Sequence, residues 1–229
     1  HERLVGSEMC IRDRCDYMVE LEFFKSMPEG IRKDAWFLTK VTMTGQERNP
    51  ETGRYPLLNW DDPATNQKHP YWKKNIESSD WVFNYDDGYY ETKGISSASG
   101  KTRMIFRYAD ILLLYAEAVA YGTKSIDDLA FDCMWRVQER AGVPLISKDV
   151  TKEYFQKAVL DERRWETAGM EHSCMGRFFT MQRHEILHLQ KNYRDAAELS
   201  LNPNLTLSEE FYYFPIPDNE LLIVPGLKD

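Results

Sequence analysis

The sequence predicts a mainly α-helical fold, in which helix pairs accompany a long irregular region with few short strands. The longest apolar run of the chain, residues 103–121, has the composition of a buried helix. Residues 125–141 and 151–168 each begin with a Ser or Thr that can cap a helix, and each is followed by Gly. Residues 45–100, in contrast, are rich in Pro, Gly, Asn and Asp and show little periodicity.

The first part of the sequence predicts short helices and strands. Asp16–Met27 places apolar side chains on one face of a short helix, which the sequence around Pro28 ends. Ala35–Met43 is aromatic and β-branched and favours a strand, and short strands are expected near Trp81–Asn84 and Tyr89–Lys93. A region as long and irregular as residues 45–100 usually has a function when it is ordered.

The apolar run at residues 103–121 is expected to form the central helix. Inside it only Arg107, Asp110 and Glu117 are charged, so the helix should be buried on most sides. These charges also interrupt any run long enough to span a membrane. Because a buried carboxylate is costly without a partner, we expect both acids to bond to backbone or to arginines.

Further helices are expected after the central one, and their short links favour helical hairpins. Asp161, Glu162 and Glu166 share one of them with two arginines, which predicts structural ion pairs rather than two acid catalysts facing each other across a cleft. A last short helix should cover Asn219–Leu222, capped by Asp218. The predicted longer helices are Ser125–Ala141, Thr151–Ala168 and Met175–Asn192.

Composition excludes several classes of partner and chemistry. The 229 residues carry a formal net charge of −8 without a basic stripe, which argues against nucleic acid or an anionic membrane surface. The four cysteines are scattered, without metal-ligand spacing or the density of a disulfide framework. No nucleophile elbow, phosphate loop or dinucleotide fingerprint occurs, so neither a cofactor nor a catalytic residue is predicted.

The start of the chain is unusual. Val5–Arg14 reads VGSEMCIRDR, which looks like the translation of sequencing-adapter DNA at the end of an assembled contig. We therefore interpret residues 1–14 as a non-native or disordered leader and expect the true chain to continue upstream. Residues 15–229 are predicted to belong to a single domain, with a loop-rich ligand region at 15–100 and a helical scaffold and tail at 101–229.

One motif suggests zinc chemistry. His184–His188 reads HEILH, and on a helix this pattern places two imidazoles one turn apart, with Glu185 as the general base. A third ligand is required, and Lys191 and Arg194 stand where the extended motif has Gly and His. The flanking residues are also polar, unlike those around a catalytic zinc. We predict no metal site and keep a zinc-dependent hydrolase as an alternative.

The irregular region contains a concentration of aromatic residues among amide and carboxylate side chains. This combination suits a sugar, because the C–H faces of its ring stack on aromatic rings while its hydroxyls bond to the polar groups. The alternative is that the rings form the region's own small core. The predicted ligand-binding residues are Trp60, Trp72 and Trp81, then Tyr85 and Tyr89, with Asn75 and Asp61 as polar partners.

Motifs in the second half resemble one known family. The segment FRYADILLLYAEA looks like the hallmark of the RagB/SusD family, the surface glycan-binding lipoproteins of Bacteroidetes. The later motifs come in the family's order, and the resemblance covers the chain from about Tyr89 to its end. The segments that carry it are Phe106–Ala118, Arg136–Pro144, Asp161–Glu166, Arg177–Arg183, Phe214–Glu220 and Pro225–Lys228.

The resemblance implies the C-terminal portion of a SusD-like protein with tetratricopeptide-like helix pairs. Its function would be non-catalytic: binding of glycan or oligosaccharide at the outer-membrane surface during polysaccharide utilization, and delivery to a TonB-dependent, SusC-like transporter. The membrane attachment would be a lipid anchor in the missing N-terminal part, and none of the four cysteines here is taken as its site. A helical module that only docks a protein, without a sugar site, is the other alternative.

Overall fold

The computed structural model describes residues 19–42, 47–54, 56–64, 69–72, 81–84, 89–92, 106–168, 179–186, 189, 216–224 and 226. The chain forms two compact units, His1–Cys174 and Met175–Asp229. The described part is mainly helical with short strands, which confirms the predicted fold class. Residues 1–14 lie outside the described residues, and the single-domain interpretation stays a prediction.

The described elements are a group of short helices and strands, then three longer helices, and then one short helix. In chain order they are α1 (Leu21–Ser26), α2 (Ile31–Trp36), β1 (Phe37–Leu38), β2 (Lys40–Thr42), β3 (Leu57–Asn59), β4 (Tyr71–Trp72), β5 (Trp81–Asn84), β6 (Tyr89–Thr92), α3 (Tyr108–Tyr121), α4 (Asp128–Ala141), α5 (Lys152–Thr167) and α6 (Asp218–Ile223).

The described strands pair antiparallel in three two-stranded sheets, β1 with β4, β2 with β3 and β5 with β6. The strands predicted near Trp81–Asn84 and Tyr89–Lys93 are therefore confirmed, and they form one hairpin. The strand predicted over Ala35–Met43 is only partly correct. Its first two residues belong to α2, and the rest is divided between β1 and β2.

Side-chain caps begin two of the long helices. The carboxylate of Asp127 accepts a hydrogen bond from the Ala130 N–H at 2.8 Å at the start of α4. The hydroxyl of Thr151 accepts one from the Tyr154 N–H at 3.2 Å at the start of α5. The predicted Thr cap is confirmed. The predicted start at Ser125 is too early, because Asp127 takes up the free N–H groups of the first turn instead.

The core of the first unit lies where α3 packs against α4 and α5. The buried face of α3 consists mostly of alanines, and small side chains let neighbouring helices approach closely. Larger residues of α4 and α5 fill the remaining space. The buried residues of this core are Ala109, Leu113, Ala116, Ala120, Ala130, Phe131, Cys133, Met134, Val137, Ile146, Phe155 and Val159.

The expectation that α3 is buried on most sides is wrong. Its other face exposes large apolar side chains: Tyr108 is 66% exposed, Ile111 53% and Leu114 47%. The reason is that only α4 and α5, among the described elements, pack extensively on α3. The apolar composition all round this helix therefore overestimates how much of it is covered.

A pair of glycines joins α2 to α4. A Cβ atom on Gly30, just before α2, would lie 2.7 Å from the carbonyl oxygens of Ala141 and Gly142. Gly142 ends α4 with a φ of 68°, in the left-handed region, and its own Cβ would lie 3.1 Å from the Ile31 side chain. Only glycine allows the two backbones to approach this closely.

The second unit contains a short helical segment at residues 179–183 and α6. The short helix predicted over Asn219–Leu222 is confirmed, although Pro217 rather than Asp218 precedes its first turn. The helix predicted over Met175–Asn192 is interrupted after residue 183, because the chain turns at residues 184 and 185; residues 175–178, 187, 188 and 190–192 lie outside the described residues. Among the residues that the structure describes, no helix is long and apolar enough to cross a bilayer.

Gly30→Ala should destabilise the first unit, because the new methyl group would clash with two backbone oxygens that cannot rotate away. We expect the free energy of unfolding to fall by about 2 kcal/mol or more, measured by urea denaturation. Gly226→Ala is the control, since a Cβ at Gly226 meets nothing within 4 Å. Equal stability of Gly30→Ala and the wild type would contradict the close approach of α2 and α4.

Candidate functional site

Side chains of the loop-rich segment meet in an aromatic cluster, defined here as the rings of Phe23, Phe24, Phe37, Trp60 and Trp72. The Phe37 ring centroid lies 5.1 Å from that of Trp72, 5.2 Å from Phe24 and 6.4 Å from Phe23. Trp60 meets Phe24 edge to face at 5.8 Å. Such tilted and edge-to-face contacts suit the charge distribution of aromatic rings and restrict their motion.

Backbone hydrogen bonds with β1 and with Thr39 hold the two tryptophans of this cluster, whose rings contact Phe23 and Phe24 of α1. Trp72 lies directly opposite Phe37 in the β1–β4 sheet. Trp60 follows β3, and its N–H donates to the carbonyl oxygen of Thr39, between β1 and β2, at 2.9 Å. Both tryptophans are partly exposed. They are two of the predicted ligand-binding residues, and the structure places both in one aromatic cluster.

The other predicted ligand-binding residues are described less completely. Asp61 follows Trp60 and is exposed. Trp81 lies in β5 opposite Thr92, and Tyr89 lies in β6 opposite Asn84; only the backbone of these strands is described. Tyr85 and Asn75 lie outside the described residues. The predicted set of seven therefore stays a prediction, with Trp60, Trp72 and Asp61 placed by the structure.

The aromatic cluster packs against apolar residues that the sequence interpretation did not include. These are the buried Val19, Met27 and Trp36, together with the partly buried Trp165 from the end of α5. The adjacent Phe23 and Phe24 also belong to the cluster, although they looked only like the apolar face of a short helix. Their helical spacing was visible in the sequence, but their contact with residues 60 and 72 depends on the tertiary fold.

An ion network, formed by Arg32, Arg107, Arg140, Glu162 and Glu166, joins this region to the scaffold. The two carboxylates of α5 are each only 1% exposed. Arg32 of α2 donates to Glu162 and, at 3.2 Å, to Glu166. Arg107 donates to Glu166 at 2.8 Å, and Arg140 of α4 donates to the same oxygen. The carboxylates predicted to be structural are therefore paired, and their partners come from three other parts of the chain.

The acids of α3 also have the partners that the sequence predicted. The N–H of Arg107 donates to a carboxylate oxygen of Asp110 at 2.9 Å, and the Arg107 guanidinium donates to the other oxygen at 3.0 Å. Arg163 of α5 forms an ion pair with Glu117. These groups hold helices together and do not face a cleft as a pair of catalytic acids would.

Burial perturbs one member of the ion network. Desolvation raises the pKa of the Glu162 carboxyl above its ordinary value. The Arg32 guanidinium acts in the opposite direction by stabilising the ionised form, while the nearby Glu166 adds to the rise. Glu162 therefore holds its proton more tightly in the folded protein than in the unfolded chain.

The described part of the H-E-x-x-H motif, residues 184–186, does not continue the helix that the zinc motif requires. The helical segment ends at residue 183, and Glu185 adopts a φ of 55°. The Glu185 N–H donates to the Gln182 carbonyl at 3.0 Å and the Ile186 N–H to the Met181 carbonyl at 2.8 Å. This is the Schellman arrangement that ends a helix, so the helix that precedes His184 does not continue through Glu185.

Among the described residues, no three His, Cys, Asp or Glu side chains lie together in a group that could hold a metal ion. His188 lies outside the described residues. The arrangement at His184 and Glu185 offers no support for the zinc-dependent hydrolase.

A comparison with protein families decides the classification. The model of the SusD family matches residues 26–229, nearly the whole chain. The chain belongs to the SusD family. The predicted RagB/SusD resemblance is thus confirmed. No curated protein matches the chain, and no solved structure matches it.

Membership in the SusD family suggests carbohydrate binding and uptake. Members of the family are generally non-catalytic binding proteins, and they are typically associated with the outer-membrane surface. In this SusD-family chain, the ion network and the aromatic cluster are built on the same two elements. Arg32 of the network and Trp36, which packs with the cluster, lie on α2, and Glu166 and Trp165 lie at the end of α5. Within the loop-rich segment, the cluster contains two partly exposed indole rings, those of Trp60 and Trp72.

Glu162→Gln should change the dependence of stability on pH. A Glu in the unfolded chain titrates near pH 4.3, and the folded pKa of Glu162 is higher. The stability that this group contributes is therefore complete below the unfolded pKa and is lost as the pH rises through the folded pKa. The free energy of unfolding of Glu162→Gln, measured relative to wild type, should increase as the pH rises above about 4.

The matched control for this measurement is Glu153→Gln. Glu153 is exposed, and hydrogen bonds from its own backbone N–H and from Thr151 lower its pKa. The relative stability of this variant should instead fall as the pH rises through the range just below the unfolded pKa of about 4.3, and stay level above it. If the free energies of unfolding of Glu162→Gln and of the wild type changed in the same way with pH, this result would contradict the raised pKa.

Glu185→Gly should stabilise the second unit. A non-glycine residue in the left-handed conformation is disfavoured by about 1 kcal/mol, and glycine at the end of a Schellman arrangement removes this strain. Denaturant unfolding measures the change. If Glu185 instead lay inside a continuous zinc-binding helix, the same substitution would destabilise the protein by about 1 kcal/mol.

Proposed function

We propose that this chain is a non-catalytic glycan-binding protein that presents oligosaccharides to a TonB-dependent, SusC-like transporter of the outer membrane. It would act at the cell surface of a bacterium of the Bacteroidetes, as part of a lipoprotein for nutrient uptake. Family membership supports the class of function. The observation that carries the proposed site is the aromatic cluster, in which Trp60 and Trp72 are both partly exposed.

The chemistry of the cluster fits a sugar. A pyranose ring has C–H faces that stack on indole rings and hydroxyls that need hydrogen-bond partners. Trp60 and Trp72 supply the rings, and the exposed carboxylate of Asp61 directly follows Trp60. The phenylalanines around the tryptophans limit their motion before a ligand arrives, which reduces the entropy that binding must overcome.

We assign the remaining predicted residues to the same ligand region. Trp81 and Tyr89 lie on the two antiparallel strands of one hairpin, β5 and β6. Tyr85 belongs to the connection between these strands, and Asn75 precedes the hairpin in the sequence. Stacking on several rings, with amide and carboxylate groups between them, would bind a short segment of a polysaccharide.

The other two functions have less support. Zinc-dependent hydrolysis needs His184 and His188 on one helix, whereas Glu185 occupies a helix-ending position. A module that only docks a protein would be favoured by a fully buried cluster of loop aromatics. Trp60 and Trp72 are instead partly exposed, and this favours a ligand site.

Replacing Trp60 or Trp72 by Ala should weaken glycan binding by about tenfold or more, as expected when a central aromatic contact worth about 2 kcal/mol is removed. The triple replacement of Trp60, Trp72 and Trp81 should abolish it. Native gel electrophoresis in gels containing a panel of soluble neutral polysaccharides measures the affinity, and far-UV circular dichroism checks that each variant is folded.

Trp135→Ala is the matched control, since Trp135 packs in the scaffold core and donates its indole N–H to the Ile146 carbonyl at 2.7 Å. It should bind glycan like the wild type when folded. Unchanged retardation of folded Trp60→Ala and Trp72→Ala in a gel that retards the wild type would overturn the site. A wild-type protein that no polysaccharide retards would count against the proposed function.

A further inference from the structure

Two buried cations lie against the phenylalanines of the aromatic cluster. Lys33 of α2 is 6% exposed, and its Nζ lies 4.4 Å from the centre of the Phe24 ring. The same ammonium group donates to the Met27 carbonyl at 3.1 Å and to Glu29 at 2.6 Å. Lys33 is thereby held in one place over the ring, and the burial of its side chain strengthens the attraction between the ammonium group and the ring.

Arg164 makes the corresponding contact from the scaffold. Its side chain leaves α5, is 8% exposed, and places the guanidinium carbon 5.6 Å from the centres of the Phe23 and Trp165 rings. It also donates to the Ser26 hydroxyl at 3.2 Å. Arg164 therefore connects α5 to both the ring and the end of α1.

Each tryptophan of the cluster contacts a phenylalanine ring that is itself in contact with one of these cations. Trp60 contacts Phe24, which Lys33 contacts, at a centroid distance of 5.8 Å. Trp72 contacts Phe23, which Arg164 contacts, at 6.3 Å. Neither cation is exposed enough to serve as a main contact for a sugar, so any effect on binding must pass through the phenylalanines.

We propose that Lys33 and Arg164 are positioning residues of the glycan site: by fixing the Phe24 and Phe23 rings, they hold Trp60 and Trp72 in the orientation that a sugar ring requires. This inference rests on the proposed function. A tryptophan that loses its support can still belong to a folded protein, but it then populates several orientations. A ligand must select one of them, so its affinity falls.

The test compares the glycan affinity of Lys33→Met, Arg164→Met and the wild type, on the neutral polysaccharide that binds the wild type most tightly. Methionine keeps much of the apolar length of each side chain and removes the charge. Each neutral variant should bind about fivefold or more weakly, the change expected when a desolvated cation over a ring is lost. Arg164→Lys keeps a cation and should recover most of the affinity.

Lys148→Met is the matched control. Lys148 also lies near aromatic rings, 5.4 Å from Trp135 and 6.0 Å from Phe131, but these belong to the scaffold core. Its affinity for the polysaccharide should equal that of the wild type. Binding is measured at a temperature at which far-UV circular dichroism shows each variant fully folded, and near-UV circular dichroism reports the order of the tryptophan rings.

The outcomes separate this inference from the proposed function. Weaker binding and a reduced near-UV signal in the two neutral variants, with recovery in Arg164→Lys, would support positioning. Wild-type binding combined with unchanged affinity of Lys33→Met and Arg164→Met would overturn this inference alone. If a neutral variant does not fold, Arg164→Lys and the other neutral variant give the answer. No binding by the wild type would remove the proposed function, and this inference with it.

Discussion

The pairing of two buried carboxylates with three arginines is the constraint on which the first unit depends. Glu162 and Glu166 lie on one helix, and their partners Arg32, Arg107 and Arg140 come from α2, the start of α3 and α4. A buried carboxylate without a partner would be strongly destabilising, so these elements must converge on the same face of α5. Removing one partner of such a pair typically destabilises a protein by about 3–5 kcal/mol, because it leaves a buried charge unpaired; arrangements of the helices that separate these partners are therefore disfavoured.

The same helix determines where the aromatic rings lie. Arg164 and Trp165 lie between the two buried acids in the sequence. Arg164 contacts the Phe23 ring of the cluster, and Trp165 packs with the buried residues beside the cluster. The loop-rich segment is therefore attached to the scaffold by charge through Arg32 and by aromatic contacts through Phe23. A ligand site built on such an attachment can be irregular in backbone and still be well ordered, which is what stacking on a sugar ring demands.

One sequence interpretation, the burial of α3 on most sides, was wrong, and one motif match, at His184–His188, was kept only as an alternative. The composition of α3 indicated burial all round, but burial depends on which elements pack against a helix, and α4 and α5 cover only its alanine face. The residues at His184–His188 match a zinc motif that requires a continuous helix. The Schellman hydrogen bonds instead end the helix before Glu185, and the backbone turns there. A motif states which side chains occur, and the geometry between them depends on the backbone.

Local signals in the sequence determined the approximate positions of α3, α4 and α5, the strands β5 and β6, the pairing of Arg107 with Asp110, and membership in the SusD family. These features depend on capping, periodicity and contacts between residues close in the chain, which a single sequence displays. Only the tertiary structure decided that Glu162 and Glu166 meet Arg32, that Phe23 and Phe24 lie beside Trp72 and Trp60, and that Lys33 and Arg164 lie against them. Those contacts join residues from separate parts of the chain, and nothing in the spacing of the sequence specifies which distant partners a buried charge or ring will find.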